Sequence, residues 1–334
     1  MKNFAITGVA GYIAPRHLQA IKDTGNKLVA AVDPHDSVGI MDRYFPEASF
    51  FTEFERFDRH LERLRRGPES ERVHYLTICS PNFLHDAHIR MALRIGADAI
   101  CEKPLVLNPW NLDALEELER ESGNKVHTIL QLRVHPSLIA VKQKLEEEGK
   151  RKKEKGKSTA VEGTIPSEIY VSKKHEVILT YITSRGLWYD FSWKGVKEKS
   201  GGIATNIGIH FFDLLIWLFG SVQTSRVNLA GTKRMSGFME LENANVRWFL
   251  SIDRDDLPQE EAEKGKTTFR SISVDGEEIQ FSEGFTDLHT KVYEETLAGR
   301  GFGIEDARPS ITLVQQIRNA EPRPDKDTMH PFSF

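Results

Sequence analysis

Cysteine is almost absent from this chain. Only Cys79 and Cys101 occur among its 334 residues, and each lies inside an apolar run. Cysteines in this setting are typical of small buried side chains in a reducing compartment, so we expect neither a disulfide framework nor a reactive thiol. The apolar segment "NIGIH" also lacks the second histidine of an H-E-x-x-H zinc motif, and we expect no metal.

Charge of one sign and long apolar runs are scarce as well. The formal net charge is -4, and the one basic cluster is interleaved with acidic residues, which argues against a nucleic-acid surface. The longest apolar run, "FFDLLIWLFG" at 211–220, contains Asp213 and is shorter than the roughly 20 residues that a membrane-spanning helix needs. The N-terminus does not resemble a signal peptide. We therefore expect a soluble, cytoplasmic protein with no membrane or nucleic-acid partner.

The apolar pattern predicts an α/β protein of two domains. In the first third, short apolar runs alternate with amphipathic segments, which predicts a doubly wound parallel sheet of the Rossmann type with helices on both faces. After about residue 137, β-rich segments dominate around one helix at 201–220, which predicts an α+β domain with a large, mostly antiparallel, open-faced sheet. We place the domains at 1–135 and 136–334 and interpret the Lys/Glu-rich stretch 146–163 as a solvated insertion.

Two glycines are missing from the loop where a dinucleotide fingerprint would stand. In "AITGVAGYIAPRHLQAI", Gly8 ends a predicted strand, but Ala10 and Ile13 occupy the other two glycine positions of G-x-G-x-x-G, and Gly11 comes one residue late. A tight turn that leads into a helix N-terminus still suits a pyrophosphate. Taken alone, the loop is a weak signal, and an ordinary strand-to-helix turn is the alternative.

Polar side chains follow the next predicted strands at their carboxyl ends. Asp33 closes "KLVAAVD", where a carboxylate accepts hydrogen bonds from the adenosine ribose and repels a 2′-phosphate, so the pattern favours NAD over NADP. An ordinary turn aspartate before Pro34 is the alternative. Ligands of open α/β sheets lie outside these strand ends. We therefore expect further cofactor contacts from Ser80, Pro81, Asn82 and His85 in "SPNFLH" and from Glu102 and Lys103 in "EKP".

The step "EKP" after a buried strand, together with the later helix "NIGIHFFD", resembles the Gfo/Idh/MocA oxidoreductases. The resemblance extends over nearly the whole chain and implies a Rossmann NAD-binding domain followed by an α+β domain. It also implies that Lys103 and His210 line the pocket where the nicotinamide meets a sugar-like alcohol.

A narrower resemblance is carried by "GYIAPRH", "RGLWYDFSWKG", "ATNIGIHFFD" and "VRWFLSIDRDDLP". These segments are similar to the bacterial UDP-N-acetyl-glucosaminuronic acid 3-dehydrogenases of O-antigen (lipopolysaccharide) biosynthesis. In that group "GYI" replaces the usual fingerprint, which implies that Tyr12 and Ile13 belong to the cofactor loop. The group is tetrameric, binds NADH tightly, and includes enzymes that recycle it with 2-oxoglutarate. The resemblance therefore implies a UDP-sugar substrate, 2-oxoglutarate as a second substrate, and a homotetramer.

Oxidation of a secondary alcohol needs a base for the hydroxyl proton and a donor for the developing oxyanion. Asn206 and His210 are four residues apart and share one face of the predicted helix. His210 is the better base as a neutral imidazole, with Lys103 as the electrophilic donor and Asn206 bonded to the same or an adjacent hydroxyl. Lys103 acting as the base with a lowered pKa is the alternative. Asp213 either orients His210 or has a structural role.

A sugar nucleotide needs further polar and aromatic contacts. An arginine suits a uronate carboxylate or a diphosphate, and a tryptophan can stack on a ring. We expect substrate contacts from Arg133, His135, Tyr181, Thr183, Arg185 and Trp188. Arg133 also lies where it could reach the cofactor, and the resemblance places Trp193 against it, although packing on a sheet face is the alternative for each aromatic.

Two other functions remain open at this point. One is a dehydrogenase of the same family that acts on another sugar or polyol. The other is a non-catalytic NAD-binding regulator, which the combination of Lys103, Asn206 and His210 disfavours because a sensor needs no base.

Overall fold

The chain forms two compact units. A computed structural model describes residues 1–36, 39–158, 174–280 and 287–333, with the backbone alone for 152–158. Unit 1 comprises Met1–Gln131, Arg185–Asp213 and Phe285–Asn319, and unit 2 comprises Leu132–Ser184, Leu214–Gly284 and Ala320–Phe334. This division differs from the expected boundary near residue 135, because two later segments, 185–213 and 285–319, group with the first third of the chain.

Strands and helices are numbered here in chain order. The strands are β1 Asn3–Thr7, β2 Lys27–Val32, β3 Ser49–Phe51, β4 Tyr75–Ile78, β5 Asp98–Cys101, β6 Val126–Thr128, β7 His175–Thr183, β8 Val222–Ala230, β9 Arg234–Leu241, β10 Ala244–Ser251, β11 Thr268–Val274 and β12 Glu277–Glu278. The helices are α1 Ala14–Asp23, α2 Gly39–Tyr44, α3 Phe54–Arg66, α4 His85–Arg94, α5 Pro109–Ser122, α6 Pro136–Ser158, α7 Trp188–Phe191, α8 Lys197–Ser200, α9 Ile209–Phe219, α10 Gln259–Glu263, α11 Leu288–Leu297 and α12 Ile304–Asn319.

Unit 1 is built on a parallel sheet with the strand order β3-β2-β1-β4-β5-β6. All five residues of β1 are buried, as expected for a central strand covered on both faces. The predicted Rossmann-type fold is therefore confirmed. The edge strand β6 has only three residues and is followed by a 3-10 turn at Gln131–Val134.

Unit 2 contains a second sheet of six strands, in the order β12-β11-β7-β10-β9-β8. Only the β7–β10 pair is parallel, so the predicted mostly antiparallel sheet is confirmed. Gly237 on β9 pairs with Trp248 on β10, and a Cβ at Gly237 would lie 2.5 Å from the indole ring. A glycine here therefore makes room for the fully buried Trp248.

Two predicted segments differ from the structure or lie outside it. Helix α6 continues to Ser158, so the part of the charged insertion up to that residue is helical and not a loop. The remainder of 146–163 lies outside the described residues, as does "SEIYVS" at 167–172, one of the β-rich segments of the sequence.

The helix predicted over 201–220 contains an irregular turn. A π-helical turn at Ala204–Gly208 precedes α9. The stretch Lys197–Phe219 is long and apolar enough to span a membrane: an 18-residue window within it has a mean hydropathy of 1.5, but 72% of that window is buried inside the protein. Such burial is typical of the core helix of a globular protein.

Candidate functional site

The loop between β1 and α1 turns on two glycines. Gly8 adopts φ +75°, and a Cβ there would lie 2.6 Å from the carbonyl group of Cys79. The Gly11 amide donates to the Gly8 carbonyl at 3.0 Å. Within the described residues, no side chain caps the first turn of α1, whose N-cap is Ile13; the amides of Ala14 and Arg16 donate to backbone carbonyls at 3.1 and 3.0 Å, and Pro15 has no amide hydrogen. Tyr12 in the same loop is 87% exposed. The loop thus has the tight glycine turn and the following helix that suit a pyrophosphate.

Asp33 connects this loop to the end of β2. Its two carboxylate oxygens accept hydrogen bonds from the amides of Ala10 and His35, each at 3.0 Å, and the residue is buried. A carboxylate oxygen has capacity for more than one donor, so these bonds leave room for a ribose hydroxyl. The ribose contact stays a prediction, and the structure adds that Asp33 shapes the loop.

The segment after β4 uses its polar side chains internally. Ser80 Oγ lies 2.9 Å from His88 Nδ1, and the Asn82 amide donates to the Ser200 carbonyl at 3.0 Å. The ring nitrogens of His85 lie 2.8 Å from the Ser80 carbonyl and 2.7 Å from the Pro104 carbonyl. His85 therefore joins this segment to the "EKP" step and fixes the backbone of both. The predicted cofactor contacts of Ser80, Pro81, Asn82 and His85 stay predictions.

Glu102 lies beneath the "EKP" step and is buried. Its Oε1 accepts hydrogen bonds from Nε2 of His17 at 2.9 Å and from Nε2 of His289 at 3.0 Å. Burial opposes ionisation, but these two bonds outweigh it and hold the pKa of the Glu102 carboxyl well below its usual range. We expected Glu102 to touch the cofactor; the structure shows it engaged with two histidines that the sequence did not single out.

Lys103, the second residue of the "EKP" step, is a half-buried cation of unit 1. Its Nζ donates to the backbone carbonyl of Asn206 at 3.2 Å. Burial lowers the pKa of Lys103 to about 8; the charge of Glu102 opposes this shift, and Arg185 and Lys194 add to it. At neutral pH roughly nine in ten molecules therefore still carry the ammonium form. The bond joins the "EKP" step to the segment that carries the other predicted catalytic residues.

Asn206 and His210 form one stripe. Within 203–213 both are half-buried, whereas every other residue is buried. A π-turn interrupts the regular i→i−4 ladder, and such turns are frequent at functional sites. Asn206 Nδ2 donates to Tyr189 Oη at 2.9 Å. Burial raises the pKa of Tyr189, so its hydroxyl keeps its proton and remains a donor. Tyr189 was missed by the sequence reasoning, although it stands inside the segment "RGLWYDFSWKG".

The segment before α8 adds positive charge and aromatic surface. Arg185 is exposed, Trp188 is 80% exposed, and Trp193 is half-buried with Lys194 Nζ 5.8 Å from its ring centroid. Burial lowers the pKa of Lys194, and the neighbouring Arg185 lowers it further. The charge of Arg185 therefore acts on both Lys103 and Lys194, and the charge of Lys194 acts on Lys103. Such a group of cations favours an anionic ligand such as a carboxylate or a phosphate.

Four predicted substrate residues belong to unit 2. His135 is buried just before α6, Thr183 is buried with its Oγ1 3.3 Å from that of Thr268, and Tyr181 on β7 is half-buried. Arg133 lies in the 3-10 turn that follows the last strand of unit 1. Their roles in substrate binding stay predictions.

Comparison with known proteins places the chain in a family. The NAD-binding Rossmann fold of the Gfo/Idh/MocA oxidoreductase family matches residues 2–130, and the C-terminal alpha/beta domain of that family matches residues 174–253. The chain belongs to the Gfo/Idh/MocA family. It is therefore an NAD-dependent oxidoreductase, and the resemblance read from "EKP" and "NIGIHFFD" is confirmed.

Two crystal structures of one bacterial enzyme are similar over the full chain. The WlbA (WbpB) dehydrogenase from Thermus thermophilus, in complex with NAD and alpha-ketoglutarate, is 51% identical, with a TM-score of 0.89 and coverage of 99% of this chain and 100% of that one. The complex of the same enzyme with NAD and UDP-GlcNAcA gives 50% identity and a TM-score of 0.88 at the same coverage.

Curated relatives match over shorter segments. D-glucoside 3-dehydrogenase from Escherichia coli is 26% identical over 153 residues, which is 46% of this chain and 38% of that protein. The chain spans about two-fifths of the length of the curated relatives that it matches.

Proposed function

We propose that the protein oxidises the 3-hydroxyl of UDP-N-acetyl-D-glucosaminuronic acid to the 3-keto sugar, with NAD as its cofactor. The Thermus thermophilus dehydrogenase, identical at half of its positions, was solved with NAD and with UDP-GlcNAcA. The observation that carries the proposal is the bond from Lys103 Nζ to the Asn206 carbonyl, because it brings the "EKP" lysine to the turn that leads to His210.

The loop after β1 suits the cofactor. The tight turn at Gly8, the start of helix α1 behind it and the carboxylate of Asp33 are the features that would hold the pyrophosphate and the ribose of NAD. When bound, NAD supplies the two-electron acceptor for the alcohol carbon. Trp193, with Tyr12 and Ile13 in the loop, remains a proposed cofactor contact.

Side chains of the protein accept the hydroxyl proton and stabilise the negative charge on the sugar oxygen. We assign His210 as the base that takes the hydroxyl proton and Lys103 as the cation that stabilises the negative charge developing on the sugar oxygen. Asn206 gives one amide hydrogen to Tyr189 Oη, so its remaining amide group and the Tyr189 hydroxyl are available to neighbouring sugar hydroxyls.

The pH dependence separates this assignment from the alternative. Lys103 loses its proton as the pH rises through its pKa of about 8. If the ammonium stabilises the oxyanion, the turnover rate falls through this range. If Lys103 is the base instead, the rate rises through it, because only the neutral amine can take a proton. A profile of kcat from about pH 6 to about pH 10 therefore decides between His210 and Lys103.

The cations suggest a second, carboxylate-bearing substrate. Lys103, Arg185 and Lys194 match the uronate carboxylate of the sugar and, in a separate half-reaction, the two carboxylates of 2-oxoglutarate. The Thermus thermophilus enzyme was solved with that dicarboxylate. We propose that 2-oxoglutarate is reduced to 2-hydroxyglutarate in the same site, which takes up the two electrons released by the sugar and returns the cofactor to NAD.

The biological setting is part of the proposal. A 3-keto UDP-uronate is a substrate for transamination, which fits nucleotide-sugar biosynthesis for the O-antigen of lipopolysaccharide in the cytoplasm. We further propose a homotetramer, with the open face of the unit 2 sheet covered by another copy.

One experiment tests the core of this function. The small molecules released on denaturing the purified protein are identified by mass spectrometry, and turnover is measured with UDP-N-acetylglucosaminuronate and 2-oxoglutarate. We expect bound NAD or NADH and formation of 2-hydroxyglutarate in step with sugar oxidation. Equal oxidation of free sugars or inositols would favour a polyol dehydrogenase instead. Bound NAD with no turnover on any alcohol would favour a regulator.

A further inference from the structure

A chain of five buried side chains runs beneath the "EKP" step. Thr77 Oγ1 lies 2.8 Å from Tyr293 Oη, which lies 2.8 Å from His17 Nδ1. Nε2 of His17 lies 2.9 Å from Oε1 of Glu102, and Nε2 of His289 lies 3.0 Å from the same oxygen. The members come from β4, α1, the end of β5 and α11, so residues from both ends of the chain meet at one carboxylate.

The donors in this chain have a fixed direction. An ionised carboxylate only accepts hydrogen bonds, so His17 and His289 each present Nε2–H to Glu102. A neutral His17 then offers Nδ1 as an acceptor, which receives the Tyr293 hydroxyl, and Tyr293 in turn accepts from Thr77. Hydrogen bonds aligned in this way strengthen one another in a medium of low dielectric constant. The whole chain therefore points donors at Glu102 Oε1.

The other oxygen of Glu102 faces the next residue. The backbone amide of Lys103 lies 3.2 Å from Glu102 Oε2. The two histidines thus orient a carboxylate that contacts the main chain of Lys103 and whose charge favours the ammonium form of that side chain.

We propose that His17 and His289 are positioning residues of the reaction, which act through Glu102 to hold Lys103 in place and to keep it cationic. The inference rests on the proposed role of Lys103 as the oxyanion-stabilising cation. The charge of Glu102 raises the proton affinity of Lys103 against the opposing effect of burial, Arg185 and Lys194. Without a buried negative charge, Lys103 would be neutral over more of the physiological range.

Other titratable groups near the pair are part of the same balance. Those facing Glu102 or Lys103 are His17 on α1, Cys79 after β4, His85 on α4, Cys101 on β5, Arg185 and Lys194 before α8, and His289 and Tyr293 on α11. Burial raises the pKa of both thiols and of the Tyr293 hydroxyl well above their usual values, so these three groups carry no charge near neutral pH. Glu102 is then the negative group of this set.

Two imidazoles and a carboxylate also form a donor set that zinc accepts. The separations of 2.9 and 3.0 Å from Glu102 Oε1 match N–H···O hydrogen bonds. Ligand atoms around a tetrahedral zinc at about 2.0–2.1 Å would instead lie roughly 3.3–3.4 Å apart. The geometry therefore favours hydrogen bonds over a metal ion.

The test measures the proton affinity of Lys103 directly. Purified protein with NAD is acetylated briefly at a series of pH values, and mass spectrometry gives the modified fraction of Lys103, whose midpoint in the wild type we expect near its pKa of about 8. His289→Leu removes one donor from Glu102, whereas His289→Gln keeps a side-chain N–H near the position of Nε2. We expect the isosteric Glu102→Gln, which removes the charge, to lower the midpoint by about one pH unit. We expect His289→Leu to lower it by less, because the carboxylate stays ionised but loses one of the bonds that orient it, and His289→Gln to restore most of the wild-type value.

His330→Leu serves as the matched control. This buried histidine of unit 2 lies 3.1 Å from Thr180 Oγ1 and accepts a hydrogen bond from the Phe332 amide at 3.1 Å. Its loss should lower the melting temperature without moving the Lys103 midpoint. If His289→Leu does not fold, Glu102→Gln carries the test.

Three results would overturn the inference: an unchanged Lys103 midpoint in Glu102→Gln, an unchanged midpoint in a folded His289→Leu, or one zinc per chain in the purified protein that His289→Leu loses. Labelling needs no substrate. Failure of the wild-type protein to oxidise the UDP-sugar would therefore count against the proposed function and leave this measurement intact.

Discussion

The strand ends of unit 1 and the segment 185–210 contribute to the site in different ways. At the strand ends the polar side chains are buried and bonded within the protein: Asp33, Ser80, Asn82, His85 and Glu102 are each no more than 7% exposed. In 185–210, by contrast, Arg185 and Trp188 are exposed, and Asn206 and His210 are half-buried. Apart from Lys103, the first region holds the backbone in shape, and the second presents side chains for chemistry. A polar residue at a strand end can therefore hold the backbone in shape instead of binding a ligand.

Removal of the chemical groups should give the largest effect. We expect Lys103→Ala and His210→Ala each to lower kcat by about 10²–10⁴-fold, because each removes a proton acceptor or the charge that stabilises the oxyanion. NAD binding, followed by the change in protein fluorescence, should stay within a few-fold of the wild type. Arg185→Ala is the control, and it should raise KM for the UDP-sugar more than it lowers kcat. Near wild-type turnover in both alanine variants would remove the catalytic assignment.

Gly8→Ala tests the shaping region. Its φ of +75° and the 2.6 Å approach to the Cys79 carbonyl leave no space for a methyl group, so we expect NAD binding to weaken by about 100-fold or more and the melting temperature to fall. Gly25→Ala is the matched control, since Gly25 has a φ of +69° but no atom within 4 Å of the position that a methyl group would take. That variant should lose stability and keep its NAD affinity. Equal NAD binding in the two variants would show that the close approach at Gly8 is not needed for the cofactor.

Asp33→Ala should have the smallest effect of the three. It removes the acceptor for the Ala10 and His35 amides and the negative charge opposite a 2′-phosphate. We expect NAD to bind about tenfold more weakly and the preference over NADP to shrink, as measured by the ratio of kcat/KM values. Asp33→Asn keeps one carbonyl oxygen, so its NAD affinity and its preference for NAD should lie between those of the wild type and Asp33→Ala. If selectivity is unchanged in both, Asp33 supports the loop only, and the strand-end region has no ligand side chain at this position.

Much of unit 1 was predictable because its strands and helices show clear local sequence patterns. Apolar runs that alternate with amphipathic ones predicted the parallel sheet, and "EKP" and "NIGIHFFD" predicted the family. The contacts of Glu102 were not predictable, because His17, His289 and Tyr293 come from distant parts of the chain and show no shared motif. The grouping of 285–319 with unit 1 was not predictable for a similar reason, because the sequence of a helix does not indicate which sheet it packs on.

The irregular helix was also invisible in the sequence. Periodicity predicted one continuous helix over 201–220, and a π-turn has no hydrophobic period of its own. The prediction that Asn206 and His210 share a face agrees with their common partial burial. The hydrogen bond from Asn206 to Tyr189 required the three-dimensional structure, because Tyr189 lies in a short helix without an amphipathic pattern.

The wide turn at Ala204–Gly208 amounts to one residue more than a regular helix would hold over the same length. Each helical residue rotates the chain by about 100°. Loss of a single residue from this turn would therefore restore a regular helix of the same length, in which α9 and His210 keep their place while residues inside the turn, such as Asn206, rotate to a new direction. A dehydrogenase of this architecture could thus redirect Asn206 toward a different hydroxyl through one codon's deletion and without any rebuilding of its core.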